Sequence, residues 1–136
     1  MGRRASREGV MKLLYQLELQ KEDRQEQIDL VLEDRSFTSN DKEYIRDVVD
    51  GVYEHLEEID NMIKNALNGW MIDRISKLEL SVLRLSLYEI KYRDDIPSKV
   101  TFNEAVELTK KYIGPDKTAF VNGLLGKYVN EDKCVD

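Results

Sequence analysis

Arg3, Arg4 and Arg7 crowd the start of a chain whose net charge is −6. Guanidinium groups are planar, permanently charged and forked, so a cluster of them can grip phosphate oxygens and stack on bases. A helix N-terminus already carries roughly +0.5 charge, and each exposed cation placed there opposes it by about 0.3–1 kcal/mol. Folding alone does not select such a run, which points to an anionic partner. Basic N-terminal arms are also common, so composition leaves an RNA contact and an incidental solvated arm both open. A second grouping, Lys117 with Phe120 and Lys127, falls near the start of the last predicted helix. Free N–H groups there favour phosphate, and an aromatic ring beside lysines can stack a base. The same residues read equally as one core aromatic and two solvated lysines.

Signatures of catalysis are weak. His55 is the only histidine and has no cysteine or second histidine near it, which favours a surface or boundary residue over a metal ligand or base. Gly123 and Gly126 are spaced like part of a phosphate loop but lie in a helical pattern, where close helix packing is the expectation. Glu57-Glu58 and Asp94-Asp95 lack the apolar setting that raises a carboxylate pKa. Cys134 stands alone in a polar tail, which excludes an internal disulfide and a cysteine-rich zinc site and suits a reducing compartment. The expectation is a non-enzyme with no metal and no cofactor.

The charge is polarised along the chain. Residues 1–12 hold Arg3, Arg4, Arg7 and Lys12 against Glu8, leaving 17 basic and 26 acidic residues in the remainder, a net −9. A globally basic nucleic-acid coat is excluded, and any such site is a local patch. No apolar run approaches the ~20 residues of a membrane span, and the N-terminus lacks the apolar stretch of a signal peptide. The expected location is the cytoplasm, with no membrane partner.

The elements that must position these residues are helical. Val10, Leu13, Leu14 and Leu17 repeat at helical spacing behind Ser6, a candidate N-cap, so a first helix is expected from about Ser6 to Gln20, with Arg3 and Arg4 on a mobile arm. Tyr15 and Leu19 then project opposite the apolar stripe and should be exposed. Ile28 to Leu32 suggests a short second helix. Asn40 with Glu43 reads as a capping box, and Tyr44, Val48, Val52, Leu56, Ile59 and Ile63 continue one stripe to about Leu67, as one long helix or two nearly collinear ones. Asn68-Gly69 stops it, and Trp70 to Ile75 is a connector or single turn. Lys77 to Arg93 carries apolar residues on two opposite sides and should be sandwiched. Glu89 falls on its Leu78 side and needs a cationic or hydrogen-bonded partner. After Pro97, Thr101 with Glu104 reads as another capping box for a helix carrying Phe102 to Ile113. Gly114-Pro115 ends it, and Asp116 caps a last helix carrying Phe120, Val121, Leu124, Leu125 and Tyr128, before a tail from Asn130 that should fray. The fold class is all-α: a compact bundle of six or seven helices in a single domain, residues 1–136, with an arginine-rich arm 1–7 and a tail 130–136.

Arg3-Arg4-Ala5-Ser6-Arg7 with Leu14-Tyr15, then Glu79, Leu83-Arg84, Leu87-Tyr88-Glu89, Pro97, Val100, Asn103-Glu104-Ala105-Val106-Glu107-Leu108, Lys111-Tyr112 and Phe120-Val121-Asn122-Gly123 together resemble the NusB family of transcription antitermination factors. The likeness covers almost the whole chain and is strongest from Trp70 to Tyr128. Lys12 departs from the usual glutamine, Gly9 from alanine and Gly126 from a polar residue. The resemblance implies two small helical subdomains packed across each other, without catalytic activity. It implies binding of boxA RNA together with the ribosomal protein NusE, within the RNA polymerase antitermination complex, so that terminators are read through, notably in ribosomal RNA operons. By position it implies that Arg3, Arg4, Arg7, Lys117 and Phe120 grip RNA, while Tyr15, Leu19, Arg74 and Glu79 face NusE. Arg84 and Glu89, bracketed by apolar residues, are assigned to internal pairing. The resemblance leaves monomer and homodimer both open.

Two other readings compete. One is a helical scaffold that binds no RNA and docks a basic protein through its acidic face. The other is the N-terminal domain of a ribosomal RNA cytosine methyltransferase, set aside on the expectation that no cofactor loop or catalytic cysteine segment follows Tyr128.

Overall fold

The computed structural model describes residues 3–67 and 71–129, and the expectations for Asn68-Gly69, Trp70, Cys134 and the tail from Asn130 lie outside them. Seven α-helices make up the described residues: α1 Arg4–Leu19, α2 Arg24–Leu32, α3 Ser39–Glu54, α4 Leu56–Ala66, α5 Lys77–Tyr92, α6 Ser98–Tyr112 and α7 Thr118–Gly126. Short 3₁₀ turns at Ile72–Arg74 and Pro115–Lys117 precede α5 and α7, and there is no strand among the described residues.

α5 is the axis of the fold. Every residue from Glu79 to Ile90 is buried, as expected for a helix apolar on two sides, and α5 meets α1, α3, α4, α6 and α7. The N-terminal bundle, α1 to α3, and the C-terminal one, α4 to α7, therefore share it as their common wall. Ser76 and Glu79 start it with a reciprocal capping box: Glu79 N–H donates to Ser76 Oγ at 3.1 Å and Ser76 N–H to Glu79 Oε1 at 3.3 Å. Where α3 crosses α5, a Cβ on Gly51 would lie 2.2 Å from the Tyr88 ring, so only glycine permits this approach. The stripe from Tyr44 to Ile63 forms two helices because the chain breaks at His55, whose ring stacks on Tyr92 at 4.0 Å between centroids.

The helix starts correct the sequence reading at four places. α1 begins at Arg4 with Arg3 in the N-cap position, and Arg7 N–H donates to Arg3 O at 2.9 Å, so Arg3 and Arg4 are not on a mobile arm. Ser6 lies inside α1 and donates instead to Asp41 on α3 at 3.0 Å. Asp41 closes the capping box of α3 with Thr38, two residues before the Asn40–Glu43 pair expected to do so. Thr101 and Glu104 lie within α6, which starts after Pro97; their side chains go to Glu89 and Arg4 rather than to a helix end. Asp116 lies in the Pro115–Lys117 turn, and α7 follows with no side-chain cap. One physical cause covers Ser6, Thr101 and Glu104. Short hydroxyl and carboxyl side chains serve tertiary partners as well as they serve caps, and here the tertiary partners win. Gly123 and Gly126 also depart from expectation: both lie on the exposed side of α7, with no atom within 4 Å of a Cβ built on either, so they permit no close packing.

Candidate nucleic-acid and partner interface

The three arginines divide between two faces of α1. Arg7 turns inward. Its Nε and Nη2 donate to the two carboxylate oxygens of Glu89 at 2.9 and 3.0 Å, with only 5% of the side chain exposed. Glu89, fully buried, also accepts from Thr101 Oγ1 at 2.7 Å and from the Tyr44 hydroxyl. Burial works against the Arg7 charge, but the hydrogen bonds and charge of Glu89 outweigh it and hold the guanidinium above its ordinary pKa. Burial, and then the Glu89 charge, push Tyr44 well above the usual phenol range. The internal partner that Glu89 needed is thus Arg7. Arg7 borders the cleft that Arg3 and Arg4 line, but both of its bonding nitrogens are committed to Glu89, so its first role is to hold that carboxylate.

Arg4 turns outward. It remains 60% exposed, its Nε and Nη2 each donating at 2.9 Å to Glu104 on α6. That hydrogen-bond pair, against a smaller effect of burial, holds Glu104 below the usual carboxylate range. Arg3 lies with its guanidinium 4.6 Å from the centre of the Tyr44 ring, and its buried Nη1 has no hydrogen-bond partner. Arg3, Arg4 and the edge of Arg7 line a cleft of about 570 Å³ between α1 and the start of α6, together with Asp95, Glu104, Ile96, Pro97 and the exposed Val100.

Lys117 and Phe120 belong to another cleft, of about 620 Å³, which shares no lining residue with the first. Phe120 is 37% exposed, so of its two open readings the core one is excluded. Arg74 and Glu79 line this same cleft, beside Met71, Ile75 and Lys127. Residues expected to touch RNA and residues expected to touch a protein therefore share a wall. Glu79 itself is buried and engaged in the Ser76 capping box, leaving its carboxylate little freedom. Lys127 Nζ donates to the Ala66 carbonyl at 3.2 Å.

Tyr15 and Leu19 are 38% and 60% exposed, as the helix wheel requires. At 100° per residue they fall within about 60° of Arg4, so one outer face of α1 runs from a cation to an apolar pair. Arg84 forms a bidentate pair with Asp60, at 3.0 and 2.9 Å, and bonds Glu18 at 2.8 Å, an internal role as expected. Among the described residues no group of three His, Cys, Asp or Glu side chains could hold a metal ion, and no helix is long and apolar enough to cross a membrane. Glu104 was missed as the partner of Arg4: the two are a hundred residues apart, and only the packing of α1 and α6 on the shared α5 brings them together.

Residues 4–130 match the model of the NusB family. The chain is 61% identical over 132 residues to the transcription antitermination protein NusB of Ruminiclostridium cellulolyticum, covering 97% of this chain and 91% of that protein. To the protein of the same name from Acetivibrio thermocellus it is 56% identical over 129 residues, covering 95% and 89%. Among solved structures it is similar to T. maritima NusB, with a TM-score of 0.90 and 34% identity over 98% of this chain and 97% of that one. It is also similar to a chain in the crystal structure of antitermination factors NusB and NusE in complex with dsRNA, with a TM-score of 0.83 and 30% identity over 93% and 95%.

Proposed function

The chain belongs to the NusB family, and we propose that it is a transcription antitermination factor that binds boxA RNA together with the ribosomal protein NusE. In this reading it joins the RNA polymerase antitermination complex in the cytoplasm and promotes read-through of terminators, notably in ribosomal RNA operons, without performing a chemical step. The observation that carries the reading is the pair Arg3 and Arg4 at an open cleft, one guanidinium nitrogen unpartnered and the other guanidinium held only by an exposed ion pair. An RNA phosphate can displace such a pair, because an exposed salt bridge is screened by solvent and weak. Lys117 and Phe120 offer a second contact, a cation beside an exposed ring. Tyr15, Leu19 and Arg74 form the contact with NusE, and Glu79 contributes through the edge of its capped carboxylate.

The test is a fluorescence-anisotropy titration of boxA RNA with and without NusE. We expect tighter binding with NusE present. The double change Arg3→Ala and Arg4→Ala should lower the slope of log affinity against log salt by about 0.7 per lost phosphate contact on a single strand. Unchanged affinity and slope in that variant remove the arginine cleft from the reading. Capture of NusE with no RNA binding at all selects the scaffold instead. A parallel titration with duplex RNA separates single-strand from double-strand preference.

A further inference from the structure

α1 and α6 both pack on α5 and run in the same direction, and long side chains join them in register at three points. Arg4 pairs with Glu104, Glu8 with Lys111 Nζ at 2.7 Å, and Lys12 Nζ lies 5.5 Å from the centre of the Tyr112 ring. Lys111 Nζ lies 5.3 Å from the same ring, so one half-buried tyrosine gathers two ammonium groups. Lys12 has no ion pair among the described residues, and the only carboxylate in the cluster, Glu8, is matched by Lys111. With the nearby Glu107 matched by Lys110, the cluster carries one net positive charge.

From this geometry we infer that Lys12 and Lys111, held together on Tyr112, form a phosphate-binding station that continues the RNA path from Arg4 along the seam between α1 and α6. The proposal rests on the RNA-binding reading above. Arg4, Glu8 and Lys12 recur every four residues on the outer face of α1, and eight residues place Lys12 about 12 Å along the helix from Arg4. Tyr112 ends α6, and the chain passes through Gly114 directly into the turn that carries Lys117, with Phe120 just beyond it. The seam thus links the two clefts, which share no residue. The alternative occupant of this surface is the protein partner, since Tyr15 follows Lys12 by one helical turn. The excess positive charge favours the polyanion.

The experiment is the same boxA titration on the full chain, with Lys12→Gln, Tyr112→Leu and Tyr112→Phe, and with Lys64→Gln, an exposed lysine of α4, as control. Loss of one phosphate contact predicts about fivefold weaker binding at 0.1 M salt and a salt slope smaller by about 0.7 for Lys12→Gln. Tyr112→Leu should weaken binding similarly by releasing the lysines, while Tyr112→Phe and Lys64→Gln stay within twofold of the parent. If Tyr112→Leu fails to fold, Lys12→Gln decides alone, because its side chain is exposed. Should Arg4→Ala weaken RNA binding while Lys12→Gln changes neither affinity nor slope, the seam proposal falls and the functional reading stands. Weaker NusE capture by Lys12→Gln at unchanged RNA affinity also overturns it and gives the surface to the protein. If the parent chain binds no RNA under any condition, both fall together.

Discussion

Arg4 and Arg7 lie three residues apart on one helix and make the same bidentate contact with a glutamate, yet they belong to two different regions of the molecule. The Arg7–Glu89 pair is sealed between α1, α3, α5 and α6, with Tyr44 and Thr101 completing the shell of the carboxylate. The Arg4–Glu104 pair lies on the rim of a cleft. Water decides what each does. In the interior a lost partner leaves a charge that nothing else can solvate, so breaking a buried pair costs about 3–5 kcal/mol. At the rim, water and salt replace the partner. The inner arginine is committed to the fold, and the outer one is available to a ligand. Glu89→Ala should therefore give the largest effect in the molecule, a loss of about 3–5 kcal/mol in chemical denaturation, with Arg7 and the Tyr44 hydroxyl left stranded. Glu104→Ala should leave the denaturation midpoint close to that of the parent. Equal losses in the two variants would break the distinction between the regions.

A smaller effect sharpens the same contrast through glycines. Gly51 faces the Tyr88 ring, so Gly51→Ala forces backbone or ring to shift and should destabilise by about 1–3 kcal/mol, as overpacking does. Gly9, on α1, has only Ile45 and Phe37 near a built Cβ, both at 3.6 Å, which is ordinary contact. Gly9→Ala should then raise stability by up to about 1 kcal/mol, because alanine loses less backbone freedom in a helix. Thermal melts of the two variants should move in opposite directions.

Much of this was legible in the sequence, and the residues show why the rest was not. Periodicity is local, so the helices, the sandwiching of α5, the exposure of Tyr15 and Leu19, and the need of Glu89 for a partner could all be read from spacing. The identity of that partner could not, because Arg7 lies 82 positions away and its neighbours Arg3 and Arg4 have the same chemistry. A wheel of α1 places Arg7 beside Val10 and Leu14, and that was the available signal. The capping residues failed for a related reason. Ser6, Thr101 and Glu104 are suitable caps in isolation, and only the assembled bundle offers Asp41, Glu89 and Arg4 as alternatives. Arg3, Arg4, Lys117 and Phe120 could be named from residue type and resemblance, but their division between two clefts depends on how α6 and α7 pack.

The smallest expected effect is a pH dependence confined to the rim. The Arg4 hydrogen bonds, set against partial burial, depress the pKa of Glu104 in the folded chain. A carboxylate with a depressed folded pKa contributes stability that is complete above its unfolded value, about 4.3, and disappears as pH falls through the folded value. The difference in melting temperature between the parent and Glu104→Gln should therefore be constant from pH 6 to 8 and shrink towards zero below about pH 4. Between pH 6 and 8 the same substitution should raise RNA affinity, since it removes the competitor for Arg4 while sparing the Arg7–Glu89 pair. A melting difference that persists unchanged at pH 3 would mean that Glu104 acts through packing rather than charge. The rim would then resemble the interior more than the exposure of Arg4 suggests.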